Sequence, residues 1–281
     1  MIKNDKTKGI IYIIISAFFF ALMGLFVKLS GDLPIIQKSF FRNAVAMIFA
    51  FVLITKRKEW ALPKGKNIVF LLIRAVAGTA GILCNFYALS NMNLADASML
   101  NKLSPFFAVV FSLFILKEKA NFKQILAVVI AFIGALFVMK PSFSFDAFPA
   151  FMGFLGGMGA GLAYACVRKL TTNGFKGNLI IFYFSAFSCL VTLPWLLFDF
   201  VPMSVTQWLF LILAGLSASG GQYFITTAYS KAPAKEISVY DYSQIIFTTV
   251  LSLIVFGDLP DFLSFVGYAI IISAALFNAW N

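Results

Sequence analysis

Residues 77–137, AGTAGILCNFYALSNMNLADASMLNKLSPFFAVVFSLFILKEKANFKQILAVVIAFIGALF, align without a gap on residues 217–277, SASGGQYFITTAYSKAPAKEISVYDYSQIIFTTVLSLIVFGDLPDFLSFVGYAIIISAALF. At this 140-residue shift Gly81 falls on Gly221, Ala88 on Ala228, Ser90 on Ser230, Ser98 on Ser238, Phe107 on Phe247 and Ser112 on Ser252. Acidic positions coincide too, Asp96 with Glu236 and Glu118 with Asp258. A small apolar alphabet produces some of these identities by chance, but a gapless register over sixty residues reads as one half-molecule written twice. In a membrane protein that pattern points to a transporter.

The rest of the chain supplies the membrane. Of its 281 residues 61% are hydrophobic, 12% are charged and 35 are Phe, which leaves too little polar surface for a soluble globule. Apolar stretches of about 20 residues, enough to cross ~30 Å of hydrocarbon, recur with short polar breaks. They read as ten spans: 9–29, 35–55, 67–90, 93–115, 121–139, 147–171, 177–198, 204–230, 233–256 and 261–280. The first follows Lys3, Lys6 and Lys8 but lacks a small-residue cleavage pattern before Lys28, so it is read as an uncleaved helix. Cys84, Cys166 and Cys189 all fall inside spans, and the chain has no His, so neither a disulfide framework nor a metal site is expected. No cofactor is implied.

The net charge of +11 does not point to nucleic acid once its distribution is read. With alternate loops assigned to opposite sides, 16 of the 22 basic residues lie on the side of both termini, among them Lys56, Arg57, Lys58, Lys117, Lys119, Arg168, Lys169 and Lys235. The other side holds only Lys28, Lys38 and Lys140, and the positive-inside rule therefore places both termini in the cytoplasm of a multi-pass cell-membrane protein. Five spans per half, residues 1–140 and 141–281, force the second half to enter from the opposite face. The expected architecture is an all-α integral membrane protein, ten transmembrane helices in two inverted five-helix repeats around a central cavity.

Within the first copy, residues 74–119 carry a more specific signal: Arg74, then Phe86-Tyr87-Ala88-Leu89, Leu94-Ala95-Asp96-Ala97, Ser104-Pro105 and Glu118. This arrangement resembles the core of EamA-type, ten-helix members of the drug/metabolite transporter superfamily, and FFRNAVA at 40–46 resembles their second helix. The second half matches more loosely, with Ile245 in the place of Pro105 and Asp258 in that of Glu118. The resemblance implies a carrier whose cavity is formed mainly by spans 3, 4, 8 and 9. It does not specify a substrate, since members carry amino acids, nucleotide sugars, organic anions, choline and drugs.

Charges left inside spans are the candidate site. Lys102 stands nine residues past Asn93, about 13 Å into the bilayer, where a cation costs at least ~2.5 kcal/mol and must face a cavity or a partner. Pro105 lacks an N–H, so it deprives the Asn101 carbonyl of its usual bond and kinks the helix beside Lys102. Asp241 lies about 12 Å inside the ninth span. The shift pairs Asp241 with Asn101 and Tyr242 with Lys102, which brings all four to one central level. Lys102 and Asn101 either hold an anionic group of the substrate or Lys102 only neutralises Asp241. For Asp241 three readings stand: a site for a coupling proton, a partner for a substrate amine, or a structural ion pair.

Arg42 and Arg74 lie about seven residues inside their spans, with gating or structural roles for both and substrate contact as the alternative. Arg74, Gly78, Gly81 and Asn85 share one face of the third span, and Gly215, Ser219, Gln222 and Thr226 one face of the eighth. Such stripes serve close packing or line a path, and Asn85 and Gln222 are too polar for lipid. Gly153, Gly157 and Gly161 form a small-residue packing row, as do Ala17, Ala21 and Gly24. Tyr164, Tyr223, Tyr240 and Tyr242 each offer a ring and a hydroxyl to a ligand. Glu118 and Asp258, at span ends, read as structural.

Three cations against one clear anion at midplane depth favour a small polar metabolite bearing a carboxylate or phosphate, moved by alternating access, with a proton as candidate coupling ion and the carrier a monomer or homodimer. A polyspecific amino-acid or drug exporter built around the tyrosines is the alternative within transport. A membrane scaffold or an intramembrane enzyme is the alternative outside it, and no catalytic grouping supports the enzyme.

Overall fold

The structure is a computed structural model that describes residues 3–116, 121–139, 147–231 and 238–279. Those residues form helices and connecting turns, with no strand among them. The helices are α1 (Lys3–Leu29), α2 (Ile35–Arg57), α3 (Lys66–Asn91), α4 (Leu94–Asn101), α5 (Ser104–Ile115), α6 (Phe122–Met139), α7 (Phe148–Thr172), α8 (Gly177–Phe198), α9 (Val205–Lys231), α10 (Ser243–Phe256) and α11 (Phe262–Ala279); a 3-10 turn, Ser238–Tyr242, precedes α10.

Local chemistry accounts for the ends. The Asn93 side chain accepts from the Ala95 N–H at 2.9 Å and starts α4, with Asp96 in the first turn where the helix dipole favours an anion. Left-handed Lys58 and Gly257 stop α2 and α10. Eight helical segments, Leu94–Ile115 counted as one, are long and apolar enough to cross a membrane, and Tyr240–Phe256 and Phe262–Phe277 are shorter apolar helices. Large apolar side chains cover the outside, among them Phe114, Phe122, Leu190, Ile254 and Phe262, a surface that lipid solvates and water does not.

Two departures from the ten uniform spans matter. The fourth span is broken at Lys102 and Leu103 into α4 and α5, with Pro105 in the first turn of α5. The ninth reaches α10 through the 3-10 turn instead of a continuous α-helix from residue 233; residues 233–237 lie outside the described set. In place of regular helix, Asp241 and Tyr242 make side-chain bonds to Lys102.

The main packing pairs are α3 with α7, α1 with α9, α6 with α11, α2 with α8, α5 with α7, α2 with α9, and α1 with α10. Small residues permit the closest approaches. A Cβ at Gly157 would stand 2.5 Å from the Leu100 carbonyl oxygen, and one at Gly153 would stand 3.0 Å from the Leu100 side chain. With Gly161 against Phe107 and Ser104, the glycine row of α7 forms the seat for the α4–α5 break. At one end of the bundle Leu25, Phe86, Leu89 and Leu94 form a buried cluster joined by Phe26, Leu251 and Phe256.

Candidate functional site

The break between α4 and α5 places Lys102 at the heart of the bundle. Its backbone N–H still reaches the Ser98 carbonyl at 3.1 Å, so the side chain leaves from a final helical turn. Its Nζ donates to Asp241 Oδ2 at 2.5 Å, and the Tyr242 hydroxyl donates to the Lys102 carbonyl at 3.1 Å. Lys102 and Asp241 are both buried, and among the described residues Asp241 Oδ1 has no hydrogen-bond partner. The pair is electrically neutral and anchored on one side only. Asn101 is half-buried beside it, its Cα against Gly157.

A second charged group lines a small cavity of about 20 Å³ between α2, α3, α8 and α9. Its walls include Ala46, Ala50 and Leu53 of α2, Ile181 and Phe184 of α8, and Ser219, Gln222 and Tyr223 of α9. Two cations enter it, Arg42 and Arg74, each more than nine-tenths buried. Among the described residues neither guanidinium meets a carboxylate, and the Nε of each lacks a hydrogen-bond partner.

Both arginines are held in place. Arg42 Nη1 donates to Asn43 Oδ1 at 2.6 Å, and the Asn43 amide is tied in turn to the Ser39 carbonyl and to Ser188 Oγ, both at 2.9 Å. The Arg74 guanidinium lies 4.1 Å from the centre of the Phe184 ring, a cation–π contact. It folds back over Gly78, where a side chain would collide with it and with Phe184. Tyr164 of α7 is 39% exposed within a mostly buried stretch and is not among the residues lining the cavity.

The remaining candidates divide. Tyr223 and Gln222 line the cavity, whereas Tyr240, 41% exposed, is not among its lining residues. Asn85 is buried with its backbone and Cβ against Gly156, and Gly81 abuts Gly156 and Ala160, so this part of the α3 stripe packs α3 onto α7. Gly215 abuts Val45 of α2, Ser219 donates to the Gly215 carbonyl at 2.8 Å, and the Thr226 side chain and Glu118 lie outside the described set.

Several polar residues escaped the sequence reading. Lys38, counted there with the loop charges, is 1% exposed inside α2 and donates to Ser90 Oγ at 2.9 Å. Gln37 exchanges two hydrogen bonds with the Val201 backbone, at 2.9 and 3.0 Å. Lys28 donates to the Met92 carbonyl at 2.9 Å, lies 3.9 Å from Asp258 Oδ2 and sits over the Phe256 ring. The signal was present in QKSFFRN at 37–43, a polar density that a lipid-facing helix does not carry. Asp96 accepts from the Tyr268 hydroxyl at 2.6 Å, a contact with α11 that spacing alone does not reveal.

An all-helical bundle with an apolar exterior and a charged internal cavity has the build of a multi-pass membrane transporter. The EamA-like transporter family matches twice, over residues 7–140 and 147–280, and the chain belongs to that family. It is 30% identical to the Pseudopaline exporter CntI of Pseudomonas aeruginosa, over 98% of this chain and 97% of the relative. It is 29% identical to the human Solute carrier family 35 member G1, over 90% of this chain and 73% of that protein, and 26% identical to the Riboflavin transporter of Brucella anthropi, over 87% and 88%. A crystal structure superposes with a TM-score of 0.66, covering 96% of both chains at 15% identity, a likeness of fold alone.

Proposed function

We propose that the protein is a secondary carrier that moves a small anionic metabolite across the membrane by alternating access, binding its carboxylate or phosphate at Arg42 and Arg74. The observation that carries this reading is the pair of buried guanidiniums, fixed by Asn43 and Phe184 at one cavity, that meet no carboxylate among the described residues. Buried charge without a partner is costly, and an anionic ligand supplies the partner.

The architecture we propose is ten spans in two inverted repeats. Its support is that the two family matches are offset by 140 residues and that the packing pairs exchange under the same shift: α1 with α9 becomes α7 with α3, and α6 and α11 pack on each other. Lys102 and Tyr242, equivalent by the shift, touch directly, as residues near a pseudo-two-fold axis do. In the orientation with both termini cytoplasmic, the cavity walls from α2, α3 and α8 belong to the cytoplasmic half. The Lys28, Lys38 and Gln37 contacts and the Phe86–Phe256 cluster then close the opposite end. For direction we propose outward transport, supported by the similarity to the Pseudopaline exporter CntI of Pseudomonas aeruginosa.

In this mechanism Lys102–Asp241 is the coupling element. A proton or a substrate amine arriving at the unpartnered Asp241 Oδ1 weakens the pair and frees the Lys102 ammonium, beside Asn101, for the anionic group. The test is anion flux into liposomes containing the purified chain. Arg74→Gln is expected to reduce flux at least about tenfold, the loss of a charge-assisted contact, with folding retained; undiminished flux removes the arginine site.

A further inference from the structure

Resting on that reading of the cavity, we infer that its cargo is a dianion: the site selects two negative charges, as two carboxylates or one phosphate, over a single one. Arg42 and Arg74 are the charged residues among those lining the cavity, so both guanidinium-bearing side chains border one space. Two like charges held together in a poorly hydrated space repel, and each retains a donor atom, Nε, with no acceptor. One negative charge leaves a guanidinium uncompensated, whereas two bring the cavity to neutrality.

Neighbouring groups do not supply the missing charge. Glu59, whose Oε2 accepts from the wall residue Asn178 at 2.9 Å, pairs with neither arginine among the described residues, and Asp241 is taken by Lys102. The other polar residues in the walls, Asn178, Ser219, Gln222 and Tyr223, are uncharged. The two guanidiniums are also preorganised from different elements. Asn43 orients Arg42 from α2, while Phe184 and the bare Cα of Gly78 fix Arg74 against α3. Such a fork pays little ordering entropy on binding, so selectivity between one and two charges survives in the measured affinity.

The experiment is thermal unfolding of the full chain in detergent at matched ionic strength, titrated with butyrate, succinate, glycerol 3-phosphate and choline. A ligand of the folded state raises the melting temperature in proportion to its occupancy. Succinate or glycerol 3-phosphate is expected to bind at least about tenfold more tightly than butyrate, and the stronger of the two identifies dicarboxylate or phosphate as the source of the charges. Arg74→Gln is expected to reduce that preference to near unity, while Arg74→Lys, which keeps the charge, retains part of it. The wild-type comparison decides even where a variant fails to fold. Equal affinity for butyrate and both dianions overturns the inference and leaves an anion carrier standing. Stabilisation by choline alone, or by none of the four, overturns both.

Discussion

Lys102 and Asp241 hold each other in a buried place where an unpaired charge is costly. Removing one partner leaves an uncompensated charge and costs about 3–5 kcal/mol, whereas replacing both by apolar residues of similar volume costs far less. Lys102→Met and Asp241→Leu are each expected to lower the melting temperature in detergent, and the double variant to recover most of the loss while remaining inactive in flux. A double variant as unstable as either single one would show that the pair is not the interaction being removed. Lys102 was legible from its depth in an apolar stretch and Asp241 from the repeat register. The joint placement of Arg42 and Arg74 was not, because it depends on Phe184 and Asn43, whose roles come from how α8 and α2 pack. Lys38 was misplaced for the same kind of reason: charge at a span end normally faces a loop, but here Ser90 receives it inside the bundle.

Among the elements, the broken fourth span and the glycine row of α7 act as one unit. Pro105 makes the break easy, and Gly157 gives the Leu100 carbonyl room at the end of α4. A Cβ at residue 157 cannot be accommodated by a side-chain rotation, since the atom it meets is backbone. Gly157→Val is therefore expected to cost about 1–3 kcal/mol or more and to move Lys102 relative to Asp241. Its melting temperature and its flux should fall together, and unchanged values in both would show that α4 and α7 are not tightly seated. The 3-10 turn before α10 is the counterpart without a proline. No residue type in SVYDY announces a departure from the α-helix, and the cause lies across the interface, in the bonds from Asp241 and Tyr242 to Lys102.

For the molecule as a whole, the proposed orientation puts the loop at residues 58–65 in the cytoplasm and that at residues 199–204 outside. Cysteine at Leu62 or Val205, both highly exposed, in a chain whose Cys84 has been replaced, tests it with a membrane-impermeant maleimide on intact cells. Val205→Cys is expected to react before lysis and Leu62→Cys only after it; the reverse pattern inverts the topology and with it the side on which the cavity lies. The apolar composition, the 140-residue register and the family motif were sufficient to read a helical membrane carrier from the chain. Apolar span length and loop charge are local quantities, set by the bilayer and not by folding partners. Tertiary structure alone decided which charges neutralise one another and which stay bare. Lys102 finds Asp241 139 positions away, while Arg42 and Arg74, on neighbouring helices, find no carboxylate among the described residues, and only the packing of four helices around them turns that deficit into a cavity.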